Sequence, residues 1–294
     1  NIDDGLISIP RLEEKLNLAE KLGKLPKIII PVHLAGASCD MQKIFNLSKK
    51  YNFKIIEDAS HALGGSYEGK LVGACTYSQM TVFSFHPVKM ITTGEGGLVT
   101  TNDSELSQVL YQLRSHGITK DPELFEREAL GPWSYEQQYL GFNYRMTDIQ
   151  AALGISQLKR INKIVDKRRE ILNYYQNELF NEPIYFLKEG KEVRSSVHLV
   201  IIRLDDFKKG KHRKLFELMR AASIGVQLHY MPVHLQPYYR KLGFSEGQYP
   251  SSELYAKSAI SLPVYPTLHK RDLYRIVKTL KFCLKSISIK VNNS

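Results

Sequence analysis

Short apolar runs alternate with amphipathic stretches through the first half of the chain, and this alternation restricts the fold more than any other feature. Lys27–Leu34, Phe53–Glu57, Met80–Phe85 and Gly97–Thr101 each read as a strand, the first despite Pro31. Met41–Tyr51 carries Ile44, Phe45, Leu47 and Ser48 on one side of a helix, with Asp40 placed to cap it. After the fourth run, Asn102 is followed three residues on by Glu105, which reads as a capping box. Leu106, Val109, Leu110 and Leu113 then continue at helical spacing. Alternation of this kind predicts an α/β architecture around a mainly parallel sheet.

Residues 118–140 read as an irregular excursion. Thr147 and Gln150 form a second capping box, and a helical pattern runs from Asp148 to Leu179. A helix longer than about 25 residues often bridges two domains, so a boundary is expected near residue 165. Residues 1–165 then form a large domain. Residues 166–294 form a small α+β domain with strands at Val197–Leu204 and Gly225–Tyr230, a helix near 211–222, a Pro-punctuated loop at 231–250 and two terminal helices.

Charge follows a similar division. The net charge of +11 splits into −3 over residues 1–158 and +14 over 159–294. Two readings stand: a solvated basic face, or a surface that attracts a polyanion or a phosphorylated ligand. With no zinc-finger or RNP signature, no nucleic-acid partner is expected. Cys39, Cys75 and Cys283 give neither a disulfide framework nor a CxxC pair, so no metal and a reducing, cytoplasmic location are expected. The longest apolar stretch, 28–37, is broken by Pro31 and His33 and is too short for a membrane span.

Ligands of open α/β sheets bind at the carboxyl ends of strands. Asp58 follows one predicted strand, while Ser84 and Lys89 sit at and just beyond the end of the next. A carboxylate and an amine would thus face one crevice. Lys89 is followed by a small polar turn containing Thr92, Thr93, Gly94, Gly96 and Gly97. A lysine held between an apolar strand and such a turn loses hydration. Its pKa falls, which favours the neutral amine that Schiff-base chemistry requires. A structural Asp–Lys ion pair and a surface lysine beside a turn are the plainer readings, and these residues alone leave them open.

Four segments in fixed order add a resemblance: D-A-S-H-A-L-G (58–64), F-S-F-H-P-V-K-M-I-T-T-G-E-G-G (83–97), R-S-H-G (114–117) and G-F-N-Y-R-M-T-D-I-Q-A-A-L-G (141–154). They resemble the sugar aminotransferases of the DegT/DnrJ/EryC1/StrS family, and the similarity runs from residue 1 to about residue 284. The resemblance implies fold type I: a cofactor-binding large domain with a mainly parallel sheet, plus a small α+β C-terminal domain. It implies pyridoxal 5'-phosphate held as a Schiff base on Lys89, which then shuttles the proton between donor and cofactor. Asp58 would pair with the pyridinium nitrogen, Ser84 with the phosphate, and His61 would lie near the ring's 3-oxygen. Asn143 is similar to a residue that reaches the phosphate of the neighbouring subunit, which implies a homodimer with shared active sites.

Tyr144, Arg145, His229 and Tyr230 would fall near the substrate, an arginine there being suited to a carboxylate or a diphosphate. His86, beside Pro87, reads as orienting or structural. The segment G-V-Q-L-H-Y-M-P-V-H-L-Q-P-Y-Y (225–239) resembles the branch acting in pseudaminic acid synthesis. That branch aminates C4 of a UDP-linked 4-keto-6-deoxy-N-acetylhexosamine, with L-glutamate as donor. Related dehydrases carry His at the lysine position, so Lys89 points to transamination.

Chains of this family begin roughly a hundred residues earlier than Asn1, a length that holds several elements. Because the sequence opens on Asn, the expectation is an N-terminally incomplete large domain. A phosphate-cupping turn and a ring-stacking aromatic would then lie outside these residues. The competing readings are a naturally truncated homologue, catalytically impaired, that binds a sugar nucleotide or a partner subunit, and a basic nucleic-acid binder favoured only by the charge of 159–294.

Overall fold

The computed structural model describes residues 1–208 and 210–288. In chain order the first half runs α1 (Ile9–Lys21), β1 (Ile28–Ile29), α2 (Met41–Tyr51), β2 (Lys54–Asp58), β3 (Ser66–Tyr67), β4 (Lys70–Leu71), β5 (Met80–Ser84), β6 (Gly97–Thr100), α3 (Ser104–Leu113), β7 (Ile118–Thr119) and β8 (Glu136–Gln137). There follow α4 (Asp148–Leu158), α5 (Ile161–Glu178), β9 (Ile184–Phe186), β10 (Val193–Arg194), β11 (Val200–Leu204), α6 (Lys211–Ala221), α7 (Pro237–Lys241), α8 (Pro250–Ser258), β12 (Ala259–Leu262) and α9 (Lys270–Ser288).

The central sheet has the order β1-β2-β5-β6. β1, β2 and β5 are parallel, and β6 returns antiparallel to β5. Its strands fall within the four apolar runs of the sequence, β2 and β5 are neighbours as expected, and the fold is a mixed α/β one of fold type I with a mainly parallel sheet. Within β2, Ile55 and Glu57 are buried on one face while Asp58 belongs to the other. α2 closes the first face through Met41, Ile44, Leu47 and Tyr51, packed with Leu16, Phe53 and Ile55. Ala59, Ala62, Phe83, Phe85 and Ile91 form a second cluster, against which Met146, Ile161 and Ile164 pack. The C-terminal part has its own antiparallel sheet, β12-β11-β9. Its core gathers side chains of α5, α6 and α9, among them Ile171, Tyr175, Leu215, Met219, Ile276 and Leu280.

Several boundaries differ from the sequence reading, each for a local reason. Pairing along Lys27–Leu34 is confined to Ile28–Ile29 and a bridge from Val32 to Asp58, since Pro31 brings no N–H to the ladder. Asp103, not Asn102, caps α3: its carboxylate accepts the Glu105 and Leu106 N–H groups, while the Asn102 amide donates to the Ala74 carbonyl. A carboxylate at that position also suits the helix dipole. The pattern over 148–179 is two helices separated at Lys159 and Arg160. The break turns Ile161 and Ile164 inward and leaves Ile149 and Ile155 exposed on α4.

The strand expected at Val197 begins at Val200, because Val197 turns the chain at φ +55°. Gly225–Tyr230 is not a strand; it touches β12 through one bridge, Gln227 to Ser261. Ile224 and Val226 anchor it in the core, after which it leads away from the sheet.

Candidate active site

The register of the central sheet sets two strand ends side by side. Asp58 pairs with Val82, and the Ala59 N–H donates to the Val82 carbonyl at 2.8 Å, so β2 ends beside β5. The Asp58 backbone is held on its other side by Pro31 and His33: its N–H donates to the Pro31 carbonyl at 2.9 Å, and its carbonyl accepts the His33 N–H at 3.0 Å. Oδ1 of Asp58 accepts the Ser60 N–H at 3.0 Å, which orients the carboxylate. On the opposite face of β2, the Glu57 carboxylate is buried against His33 Nε2 at 2.7 Å and also accepts from Ser78 and Thr81. That buried network fixes the strand whose last residue is Asp58.

Beyond β5 the chain makes the turn in which Lys89 lies, its N–H donating to the His86 carbonyl at 2.9 Å. The hairpin closes through Phe85, whose carbonyl accepts the Thr93 N–H and whose N–H donates to Gly96. Gly96 sits at φ +151°, and a Cβ there would lie 2.4 Å from Thr93 Oγ1 and 2.7 Å from Met146 Cε. Only glycine lets this turn close.

Lys89 is half-buried and within electrostatic reach of Asp58. Burial pushes its ammonium below the ordinary lysine value, and the Asp58 charge partly opposes that shift. His61, His229 and Tyr230 complete the wall. Tyr230 Oη lies 3.2 Å from His61 Nε2, and His229 Nδ1 lies 2.8 Å from Ser261 Oγ. Burial, then the charge of Lys89, lowers His61 to about 4. The same two causes, in the same order, lower His229. Tyr230 is raised, first by burial and then by Asp58. Asp58, His61, Lys89, His229 and Tyr230 therefore converge on one crevice.

Ser84 ends β5 beside it, with Oγ 3.4 Å from the His86 N–H. His86 is exposed in the turn, with Nε2 3.9 Å from Glu95 Oε1.

Asn143, Tyr144 and Arg145 lie elsewhere on the surface. Asn143 bridges to Ser115, the Tyr144 N–H donates to the Arg114 carbonyl, and the Tyr144 ring stacks on Phe142 at 4.6 Å. Arg145 lines a cavity of about 530 Å3 with Tyr111, His116, Lys120 and Asp121. Among the described residues, none of these contacts reaches Asp58 or Lys89.

Two residues of the crevice wall escaped the sequence reading. His198 packs on His61 with ring centroids 4.3 Å apart, and Arg168 donates to the carbonyls of Val197 and His198. Burial and the nearby charges of His61 and Arg168 lower His198 to about 2. The only sequence signal was a histidine inside the predicted apolar strand Val197–Leu204.

These lowered histidines set an acid limit. A histidine neutral in the native state but protonated when unfolded leaves stability intact above its unfolded value of 6.5 and removes it as pH falls. The urea midpoint is expected to drop between pH 6.5 and about 4, through His61, and further still through His198. A midpoint that holds or rises between pH 6.5 and 4.5 would contradict this neutral, buried arrangement.

The model of the DegT/DnrJ/EryC1/StrS aminotransferase family matches residues 1–281. The chain is similar to the UDP-4-amino-4,6-dideoxy-N-acetyl-beta-L-altrosamine transaminase of Campylobacter jejuni, 37% identical over 287 residues, covering 97% of this chain and 72% of that protein. Among solved structures, Helicobacter pylori PseC, an aminotransferase involved in the biosynthesis of pseudoaminic acid, superposes with a TM-score of 0.86 at 32% identity, covering 97% of this chain and 72% of that one. Streptococcus pneumoniae Spr1654 in its PMP form gives a TM-score of 0.86 at 29% identity, over 98% and 75% of the two chains. The chain spans 66% to 72% of the length of the first curated relatives it matches.

Proposed function

The chain belongs to the DegT/DnrJ/EryC1/StrS aminotransferase family, and we propose that its crevice transfers an amino group from L-glutamate to C4 of a UDP-linked 4-keto-6-deoxy-N-acetylhexosamine. The family is one of pyridoxal-phosphate-dependent transaminases. The observation that carries the reading is the convergence of Asp58 and Lys89 at adjacent strand ends, within reach of each other's charge.

The donor set suits pyridoxal 5'-phosphate: a carboxylate for a cationic ring nitrogen, a half-buried amine for an aldehyde, and the Ser84 hydroxyl for a phosphate oxygen. When bound, that cofactor supplies an electron sink for a carbanion. Lys89 is the attachment point and the proton carrier, because burial makes its neutral form accessible. Asp58 would keep the ring nitrogen charged. The ring of His61 would sit near the 3-oxygen, and His229 and Tyr230 would face the sugar from the C-terminal part.

Exposed Trp133, Leu140 and Ile149, at 74%, 93% and 86%, flank Asn143, Tyr144 and Arg145. This supports a homodimer in which Asn143 reaches the partner's cofactor phosphate and Tyr144 and Arg145 reach its substrate. We place the domain division near residue 165, where α5 passes from the Ile161–Ile164 contacts to those of Ile171 and Tyr175. Among the described residues no helix is long and apolar enough to cross a membrane. With three free, buried cysteines, we assign the reaction to the cytoplasm.

Incubation with pyridoxal phosphate, L-glutamate and the UDP-linked 4-keto sugar is expected to yield 2-oxoglutarate and a 4-amino sugar in equal amounts. Binding of the sugar nucleotide with no 2-oxoglutarate formed, at any donor concentration, would favour an impaired homologue instead.

A further inference from the structure

We propose that His198 is a positioning residue for His61: the Arg168-braced turn at Val197 presses the His198 imidazole against that of His61 and holds His61 in the tautomer protonated on Nε2. The tautomer follows from geometry. His61 Nδ1 accepts the Ala35 N–H at 3.3 Å, so the ring proton sits on Nε2, which donates to Tyr230 Oη at 3.2 Å.

What remains is to keep the ring in that pose, and the C-terminal part does so. Val197 is fully buried at φ +55°, a conformation costly for a β-branched residue. The strain persists because the surroundings over-determine it. Arg168 Nη1 donates to the carbonyls of Val197 and His198, at 3.2 and 3.1 Å. Ser195 Oγ accepts the Val197 N–H at 3.0 Å. The Ser196 and His198 N–H groups donate to the Gly36 and Ala35 carbonyls, at 3.0 and 2.9 Å. The Ser196 hydroxyl donates to the His61 carbonyl at 2.9 Å. At Gly36 a Cβ would stand 2.5 Å from Ser196 Oγ, so the two loops clasp only around a glycine.

The clasp delivers one side chain to the crevice wall. His198 is 5% exposed, and its Nδ1 has no hydrogen-bond partner among the described residues. An unpaired buried polar atom is costly, so Nδ1 is not what holds this ring in place. It packs against the ring of His61, the two planes tilted by 41°. Arg168, equally buried and pushed down by burial to about 10, remains cationic behind it and disfavours protonation of His198. The charged and titratable groups around His61 are then Asp58, Lys89, His198, His229 and Tyr230, with Arg168 behind His198.

The catalytic consequence, a fixed imidazole in the wall of the crevice, rests on the amino-transfer reading above; the tautomer itself does not. The test is long-range 1H–15N spectroscopy of the ring nitrogens in ligand-free protein between pH 5 and 8. In the native sequence, His61 is expected to show one protonated Nε2 and one bare Nδ1, unchanged across the range. In His198→Ala, that pattern is expected to give way to mixed tautomers and a titration approaching 6.5. In His198→Phe, which restores the packed ring, the native pattern is expected to return. If His198→Ala fails to fold by circular dichroism, His198→Gln, which lacks the ring but fills more of its space, takes its place with the same expectation. An unchanged His61 pattern in the ringless variant, or no recovery in His198→Phe, overturns the proposal. Borohydride fixation of pyridoxal phosphate on the native protein is measured separately. Its failure counts against the amino-transfer reading and leaves the ring-nitrogen pattern to decide the role of His198.

Discussion

Lys89→Ala is expected to leave the protein with no borohydride-fixable pyridoxal phosphate and to lower amino transfer by at least about 100- to 10,000-fold, the range that a positioned proton carrier contributes. The loss has two sources. The amine that condenses with the aldehyde is gone, and so is the lysine whose charge reaches both Asp58 and His61. Lys89→Arg separates charge from chemistry. The guanidinium keeps the positive charge beside Asp58 but stays protonated throughout the working pH range, so it neither attaches the aldehyde nor carries the proton. Arginine is therefore expected to rescue stability and nothing else. Peptide mass analysis after reduction is the measurement. A fixed adduct on a lysine other than Lys89, or appreciable transfer by Lys89→Arg, would remove the basis of the proposed mechanism. Lys43→Ala is the control: that lysine pairs with Asp40 on the exposed side of α2, and its loss should leave the adduct on Lys89 intact.

The part of the site that was legible in the sequence is the part built by adjacent strand ends. Asp58 and Ser84 sit where apolar runs stop, and a parallel sheet must bring such stops to one edge. Lys89 was legible because the glycine-rich turn after it shows where the chain doubles back. The illegible part is built by turns whose dihedrals no periodicity reports. Val197 reads as the first residue of a strand, since it is β-branched and precedes an apolar run. Its positive φ arises only from the clasp with Gly36 and Arg168, and with that φ comes the placement of His198. Arg168 itself lies in the charged run K-R-R-E, which reads as a solvent face. Its burial depends on the break at Lys159 and Arg160 that re-aims α5.

Strand β12 escaped for a different reason. Four consecutive buried residues directly after a helix carry neither alternation nor a turn signal. The cap of α3 was misplaced by one residue because Asn102 and Asp103 are both competent caps, and only the competing bond from Asn102 to Ala74 decides between them. Asn143, Tyr144 and Arg145 were singled out by motif alone, and within one chain their surroundings are α3 and solvent.

Asp58→Asn offers the sharper test of the electrostatics, because two readouts should move in opposite directions. Asparagine keeps the side-chain size and still accepts the Ser60 N–H through Oδ1, so the strand end is expected to hold its geometry. The charge is lost. Without it a ring nitrogen no longer stays protonated, and losing a charge-assisted hydrogen bond worth about 3 kcal/mol lowers amino transfer by about 100-fold or more. In the ligand-free protein the sign reverses for Lys89. The Asp58 carboxylate supports the ammonium against burial, so its removal lowers the Lys89 pKa further and enlarges the neutral fraction at any given pH. Acylation of Lys89 by an amine-reactive reagent is therefore expected to quicken while catalysis collapses. A carboxylate with a merely structural role would slow both or change neither. Acylation that slows in Asp58→Asn, or amino transfer that survives it, would mean that this carboxylate does not govern the amine, and the crevice would lose the pairing on which its proposed chemistry depends.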